Sequence, residues 1–273
     1  MKRHHFHQPI GVFDSGIGGL TVANAISKCL PEEELIYFGD TLHVPYGDKS
    51  ADAVRYYSLR IAKFLLEKEC KMIVVACNTA ATAAYRILLD FFDKEVLFVN
   101  VVDPLVKEVV RQGYRKVGVI ATKGTTTTEV YPQRLRDLQP ELEVVALATP
   151  LLAPMIEEGN IHDEVSKAVI SNYLSHPQLE GIEALLLACT HYPIIKDDIE
   201  AFYQDRIKVY DSTDVVAAEV KKQLAANRLL NDHRRNPNLF YVSDYTTAFE
   251  STTRLFYGEE VQLELQQIWK DGM

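Results

Sequence analysis

Cysteine is scarce in this 273-residue chain: Cys29, Cys70, Cys77 and Cys189 are the only four, and no two form a C-x-x-C pair. That spacing gives no support to a zinc knuckle or a thioredoxin-type redox site. So few cysteines in a chain of this size also argue against a disulfide framework. Basic runs are missing too. With 29 Lys and Arg against 38 Asp and Glu, the net charge is −9 and the pI is about 5.4. Such a chain repels phosphate backbones and anionic membrane surfaces, so neither nucleic acid nor a membrane is expected as a partner. No apolar run approaches the ~20 residues that span a bilayer. The start, MKRHHFHQP, is basic but lacks the apolar region of a secretory leader, and a cytoplasmic protein is expected. His4, His5 and His7 within it read as a frayed polar tail rather than a metal site. No linker rich in Pro, Gly or Ser and no low-complexity tract interrupts the sequence.

With 47% hydrophobic and 25% charged residues, the chain can fill one large core or two smaller ones. Short apolar runs at 9–13, 34–38, 72–76, 96–101, 116–120, 142–147, 184–188, 207–210, 239–242 and 261–265 predict strands. Between them lie amphipathic stretches such as 51–69, where Val54, Tyr57, Ile61, Phe64 and Leu65 share one helical face. The early strand runs are continuously apolar, as parallel strands covered on both faces must be. The alternation predicts an α/β fold with mainly parallel sheets.

Two internal echoes divide it. IGVFDSGIGG (10–19) resembles VGVIATKGTT (117–126) at an offset of 107, and IVVACNT (73–79) resembles LLLACTH (185–191) at an offset of 112. Two echoes in the same order at nearly one offset predict two related α/β lobes with a cleft between them. Cys77 and Cys189 then occupy matched positions, each after a buried strand and before a polar dipeptide and a helical pattern. Alone, either reads as a buried structural thiol. As a pair they sit where open α/β sheets bind ligands, at carboxyl ends of strands, and where helix-start N–H groups lower a thiol pKa. Two thiols on opposite sides of a tetrahedral carbon can remove a proton from one face and deliver one to the other, which is two-base acid–base catalysis.

Other stretches look site-like. DSGIGGLT (14–21) is not a P-loop, having no Gly-Lys-Ser/Thr, and Thr21 stands where a dinucleotide fingerprint needs its third glycine. Asp14 could accept from an ammonium group or tune a thiol; equally, Asp14 and Ser15 could simply cap a helix. GDTLHVPYG (39–47) places Pro45, Tyr46 and Gly47 in a turn-rich loop. CTHYP (189–193) puts His191 two residues from Cys189, close enough to raise its thiolate fraction. No metal cluster is evident, and no lysine stands out as a Schiff-base candidate for pyridoxal phosphate.

FDSGIGGLTV, PYG, ACNTA and LACTHYP, in this order and spacing, resemble the glutamate racemases of the cofactor-independent Asp/Glu racemase family, from about residue 9 to 215. The resemblance implies interconversion of L- and D-glutamate for peptidoglycan, with Cys77 and Cys189 as the two acid/bases. Asp14 would assist Cys77, and His191 with Glu157 would assist Cys189. Asp14, Ser15, Tyr46, Gly47, Asn78, Thr79, Thr190 and His191 would line the substrate. It also implies two lobes, 8–98 with 210–273 and 99–209, and a homodimer, with no cofactor. Leu42, His43, Leu105 and Thr149 depart from the family's usual residues. Open alternatives are an aspartate or related amino-acid racemase, a non-catalytic two-lobed amino-acid-binding protein, and a cysteine hydrolase built on Cys189 and His191, which leaves Cys77 without a role.

Overall fold

The computed structural model describes residues 5–92 and 94–269, except the side chains of 247, 248 and 251. His4 and residues 270–273 of the expected first lobe lie outside the described residues. All ten predicted strands form, within two residues of their predicted starts and ends: β1 (Ile10–Asp14), β2 (Leu35–Gly39), β3 (Met72–Val75), β4 (Leu97–Asn100), β5 (Lys116–Ala121), β6 (Glu143–Ala148), β7 (Ala184–Ala188), β8 (Lys208–Tyr210), β9 (Leu239–Val242) and β10 (Leu263–Leu265).

They make two sheets, in the orders β10-β9-β2-β1-β3-β4 and β6-β5-β7-β8, with every pairing parallel. The run β2-β1-β3-β4 repeats as β6-β5-β7-β8, so each lobe places its echoing strands side by side at the centre. β1, β2, β3 and β7 are buried at every residue, which is why their sequences are continuously apolar rather than alternating.

Helices cover the faces. α1 (Leu20–Cys29) follows the glycine turn, and α2 (Ala51–Glu67) buries Val54, Ile61, Phe64 and Leu65 with Tyr57 half-buried. Ser50 caps α2 by accepting from the Ala53 N–H at 3.2 Å. The helix stops two residues short of the expected 69, because Glu69 turns to φ 59°. α3 (Asn78–Phe92) starts immediately after Cys77, and α4 (Val102–Val110) follows β4.

Three expectations need correction. The division after residue 98 falls inside β4, which pairs with β3 through Asn100, and the division after residue 209 falls inside β8, which pairs with β7 through Tyr210. Strand hydrogen bonding keeps each strand whole in one sheet. The histidine tail is not frayed at His7, whose ring nitrogens meet Asn231 Oδ1 at 3.0 Å and the Arg235 guanidinium at 2.6 Å. The C-terminal segment does return to the first sheet: β9 and β10 extend its edge, and helix Thr213–Ala226 packs on α1. Beneath that return, Lys71 and Glu33 form a wholly buried ion pair at 2.5 Å. Glu33 also accepts from the Asn231 N–H.

Candidate active site

Parallel strands deliver their carboxyl ends to one side of a sheet, and the two sheets point those ends at a shared cavity of about 250 Å³. Cys77 enters it from the end of β3 and Cys189 from the end of β7, at 5% and 7% exposure, so both thiols lie just inside the surface. Larger clefts, about 540 Å³ beside Tyr203 and about 670 Å³ beside Lys49, contain no cysteine.

The two thiols have different surroundings. The Cys77 thiol donates to Ser15 Oγ at 3.6 Å, and its sulfur accepts from the Ala80 N–H at 3.4 Å. Burial pushes this thiol up to about 12 and the Asp14 carboxylate pushes the same way, while the Ala80 N–H and Ser15 oppose them. The lowered pKa expected at a helix start is therefore overridden, since desolvation of a thiolate outweighs the N–H groups and hydroxyl that oppose it. Cys189 instead faces a relay: its sulfur is 3.6 Å from His191 Nδ1, and His191 Nε2 is 2.8 Å from Glu157 Oε1. Burial disfavours the imidazolium, yet hydrogen bonds and charge from Cys189 and Glu157 outweigh it and hold His191 well above its ordinary range.

The glycine turn locks this relay in place. A Cβ on Gly18 would lie 2.4 Å from His191 Cε1 and 2.6 Å from Nδ1, so only glycine lets the first lobe press on that ring. Asp14 sits behind the turn, fully buried and off the cavity wall. Its Oδ2 accepts from the Gly16 and Gly19 N–H groups at 3.2 and 3.1 Å, and Thr190 Oγ1 reaches Oδ1 at 3.5 Å. Burial raises its pKa against the opposing pull of the His191 charge and those N–H groups. Its contacts shape the turn rather than cap α1, whose N-cap is Gly19.

The remaining predicted residues line the cavity: Ser15, Tyr46, Gly47, Asn78, Thr79, Glu157, Thr190 and His191. Asn78 Oδ1 accepts from Tyr131 at 2.6 Å, but its buried Nδ2 has no partner among the described residues. A buried, unused donor on a cavity wall is suited to a ligand oxygen. Thr79 Oγ1 lies 3.0 Å from Thr122 Oγ1 across the lobes. Thr122 also lines the cavity, with Val44, Ala153 and Pro154, and sequence reasoning missed all four. The signal for Thr122 was present, since the 107-residue echo pairs it with Ser15. Val44, Ala153 and Pro154 are small or apolar loop and helix residues with no chemical signature. Among the described residues, no group of three or more His, Cys, Asp or Glu is placed to hold a metal, and no helix is long and apolar enough to cross a membrane.

Comparison with known proteins adds to this geometry. Residues 19–220 match the family described as Asp/Glu/Hydantoin racemase. The chain is 41% identical over 253 residues to a glutamate racemase of Geobacter metallireducens, covering 91% of this chain and 92% of that one. The solved glutamate racemase of Francisella tularensis, in complex with D-glutamate, superposes with a TM-score of 0.91 at 36% identity, covering 97% and 99%. That of Thermus thermophilus, in complex with beta-chloro-D-alanine, gives 0.86 at 39%, covering 96% and 98%.

Proposed function

This chain belongs to the Asp/Glu/hydantoin racemase family, and from that premise we propose that it interconverts L- and D-glutamate by proton transfer between two cysteines. The observation that carries the reading is the convergence of Cys77 and Cys189 on one cavity from matched strand ends. One cysteine, as thiolate, takes the α-proton; the C–H bond breaks and its electron pair stays on the α-carbon. The other, as thiol, gives its proton to the opposite face, forming the new C–H bond. The first sulfur is then protonated and the second is a thiolate, ready for the reverse reaction.

The surroundings suit each part of that cycle. A substrate ammonium group entering beside Cys77 supplies the positive charge the buried thiolate lacks, drawing its pKa down from about 12. On the other side, His191, backed by Glu157, stands within hydrogen-bond reach of the Cys189 sulfur and can hand charge back and forth with it during the transfer. Asn78 Nδ2 is free to donate to the α-carboxylate, which stabilises charge spreading from the α-carbon. Thr79 and Thr190 flank it, while the Ser15 hydroxyl and the backbone at Tyr46 and Gly47 offer polar groups to the side-chain carboxylate. Supply of D-glutamate to peptidoglycan, a cytoplasmic location and a homodimeric assembly belong to the same proposal through the resemblance to glutamate racemases.

The deciding experiment follows α-proton exchange from L- and D-glutamate in heavy water. Cys77→Ser and Cys189→Ser should each lower racemisation by ~10²–10⁴-fold, the worth of one positioned acid/base, and should differ in which enantiomer still exchanges. Near-normal turnover in either folded variant would sink the two-base mechanism, and a preference for aspartate would overturn the substrate.

A further inference from the structure

The loop that carries Tyr46 is tied to the far end of the chain by contacts that the proton transfer does not use. Asp40, fully buried after β2, accepts from three side chains. The Tyr46 hydroxyl donates to Oδ2 at 2.6 Å, the Ser243 hydroxyl to Oδ1 at 2.7 Å, and His43 Nδ1 lies 2.9 and 3.0 Å from the two oxygens. The His43 ring presents Nδ1, not Nε2, to the two carboxylate oxygens. The His43 ring stacks on Tyr57 of α2 at 4.1 Å and 18°, and Trp269 stands edge-on to it at 4.6 Å and 85°. Trp269 is held at that place from α2, where Arg60 donates to the Ile268 carbonyl. Ser243 follows β9 and also accepts from the Leu42 N–H at 2.9 Å. The C-terminal segment thus delivers Ser243 and Trp269 to the same short stretch of loop, residues 40–43.

Tyr46 connects that stretch to the cavity. It is 1% exposed and lines the same cavity as Cys77, and Gly47 beside it packs on Thr122 of the second lobe. With its hydroxyl pinned to Asp40, the phenol ring has one orientation; without a correctly held acceptor, the ring and the wall it forms are free to shift.

We infer that His43 and Trp269 are positioning residues for the catalytic cavity: docked on His43, the C-terminal segment holds the Asp40–Tyr46 hydrogen bond and so the wall against which substrate sits. Neither residue touches substrate. Linkage makes the effect reciprocal, so substrate binding must strengthen Trp269 docking as docking strengthens substrate binding. The inference rests on the reading that this cavity takes glutamate.

Trp269 is the only tryptophan in the chain, so its fluorescence reports on docking in the full-length protein. His43→Phe keeps the ring stack and loses the donor; His43→Asn keeps a donor for Asp40. His43→Phe should raise KM for glutamate about tenfold, the worth of a hydrogen bond to a charged group, with kcat changed by less than about threefold, and His43→Asn should recover most of that loss. Glutamate should shift Trp269 emission in the parent with saturation matching substrate binding, and the shift should be lost in His43→Phe. A KM for folded His43→Phe within about twofold of the parent, against the larger change a charged hydrogen bond carries, overturns the role. So does emission in the parent that ignores saturating glutamate, which decides the matter even if His43→Phe fails to fold. Parent turnover is the control: an inactive parent tells against the racemase reading, an active one with unmoved variants against the positioning role alone.

Discussion

Glu157→Gln keeps the shape of the relay and removes its charge. His191 stands between Cys189 at 3.6 Å and Glu157 at 2.8 Å, and its hydrogen bonds to both help offset the cost of burying the imidazolium. A hydrogen bond to a charged group contributes about 1 kcal/mol more than one to a neutral amide. Glu157 is 33% exposed, so solvent screening keeps the loss from exceeding that figure. A loss of about 1 kcal/mol corresponds to roughly a fivefold fall in kcat/KM. Product and substrate are mirror images with an equilibrium constant of unity, so the fall must be equal in the two directions. The pH dependence carries a sign as well. The raised His191 pKa means that its contribution to stability is complete below the ordinary histidine value and is lost as pH rises through the folded value. Removing Glu157 lowers that folded value, so the alkaline limb of the rate profile moves to lower pH. Circular dichroism of glutamate solutions across pH measures both effects. An unchanged kcat/KM with an unmoved alkaline limb would refute the relay.

Other outcomes follow from the same contacts. Gly18→Ala should cost ~1–3 kcal/mol in urea unfolding from overpacking against His191, and should slow racemisation by displacing that ring; a fully active, equally stable variant contradicts the packing. Asp14→Asn removes a charge that raises the Cys77 pKa, so alkylation of Cys77 should begin at lower pH than in the parent, as mass spectrometry of the labelled peptide would show. Lys71→Met leaves Glu33 buried without its cation and should destabilise by ~3–5 kcal/mol while the folded fraction keeps its kcat; a neutral Tm would mean that Glu33 finds another partner. Treatment with a strong chelator should leave turnover unchanged, since the proposed proton transfer runs between two thiols that share one cavity.

Strand positions were legible because parallel strands buried on both faces leave unbroken apolar runs. The duplication was legible because the two central strands of each lobe carry it. The cavity residues that chemistry marks, such as the cysteines and His191, could be named from motifs. Val44, Ala153 and Pro154 could not, because a wall made of ordinary small residues has no local signature. The thiol pKa went the other way from expectation: helix position is visible in sequence, but the desolvation that dominates Cys77 depends on what closes over it. The Asp40–His43–Trp269 contacts were equally hidden, joining residues more than two hundred positions apart through a C-terminal path that periodicity does not specify.

That path has a bearing on how the molecule comes into being. The second sheet is built from one continuous stretch, β5 to β8, and is complete once residue 210 has been synthesised. The first sheet begins earlier in the chain yet must wait for β9, and until then β2, an entirely buried strand, is an open apolar edge. Such an edge invites pairing with any other extended chain. A ribosome that stalls between residues 210 and 239 therefore releases a protein with one finished half and one adhesive one, and the last strands to leave the tunnel are what make the first-made sheet safe.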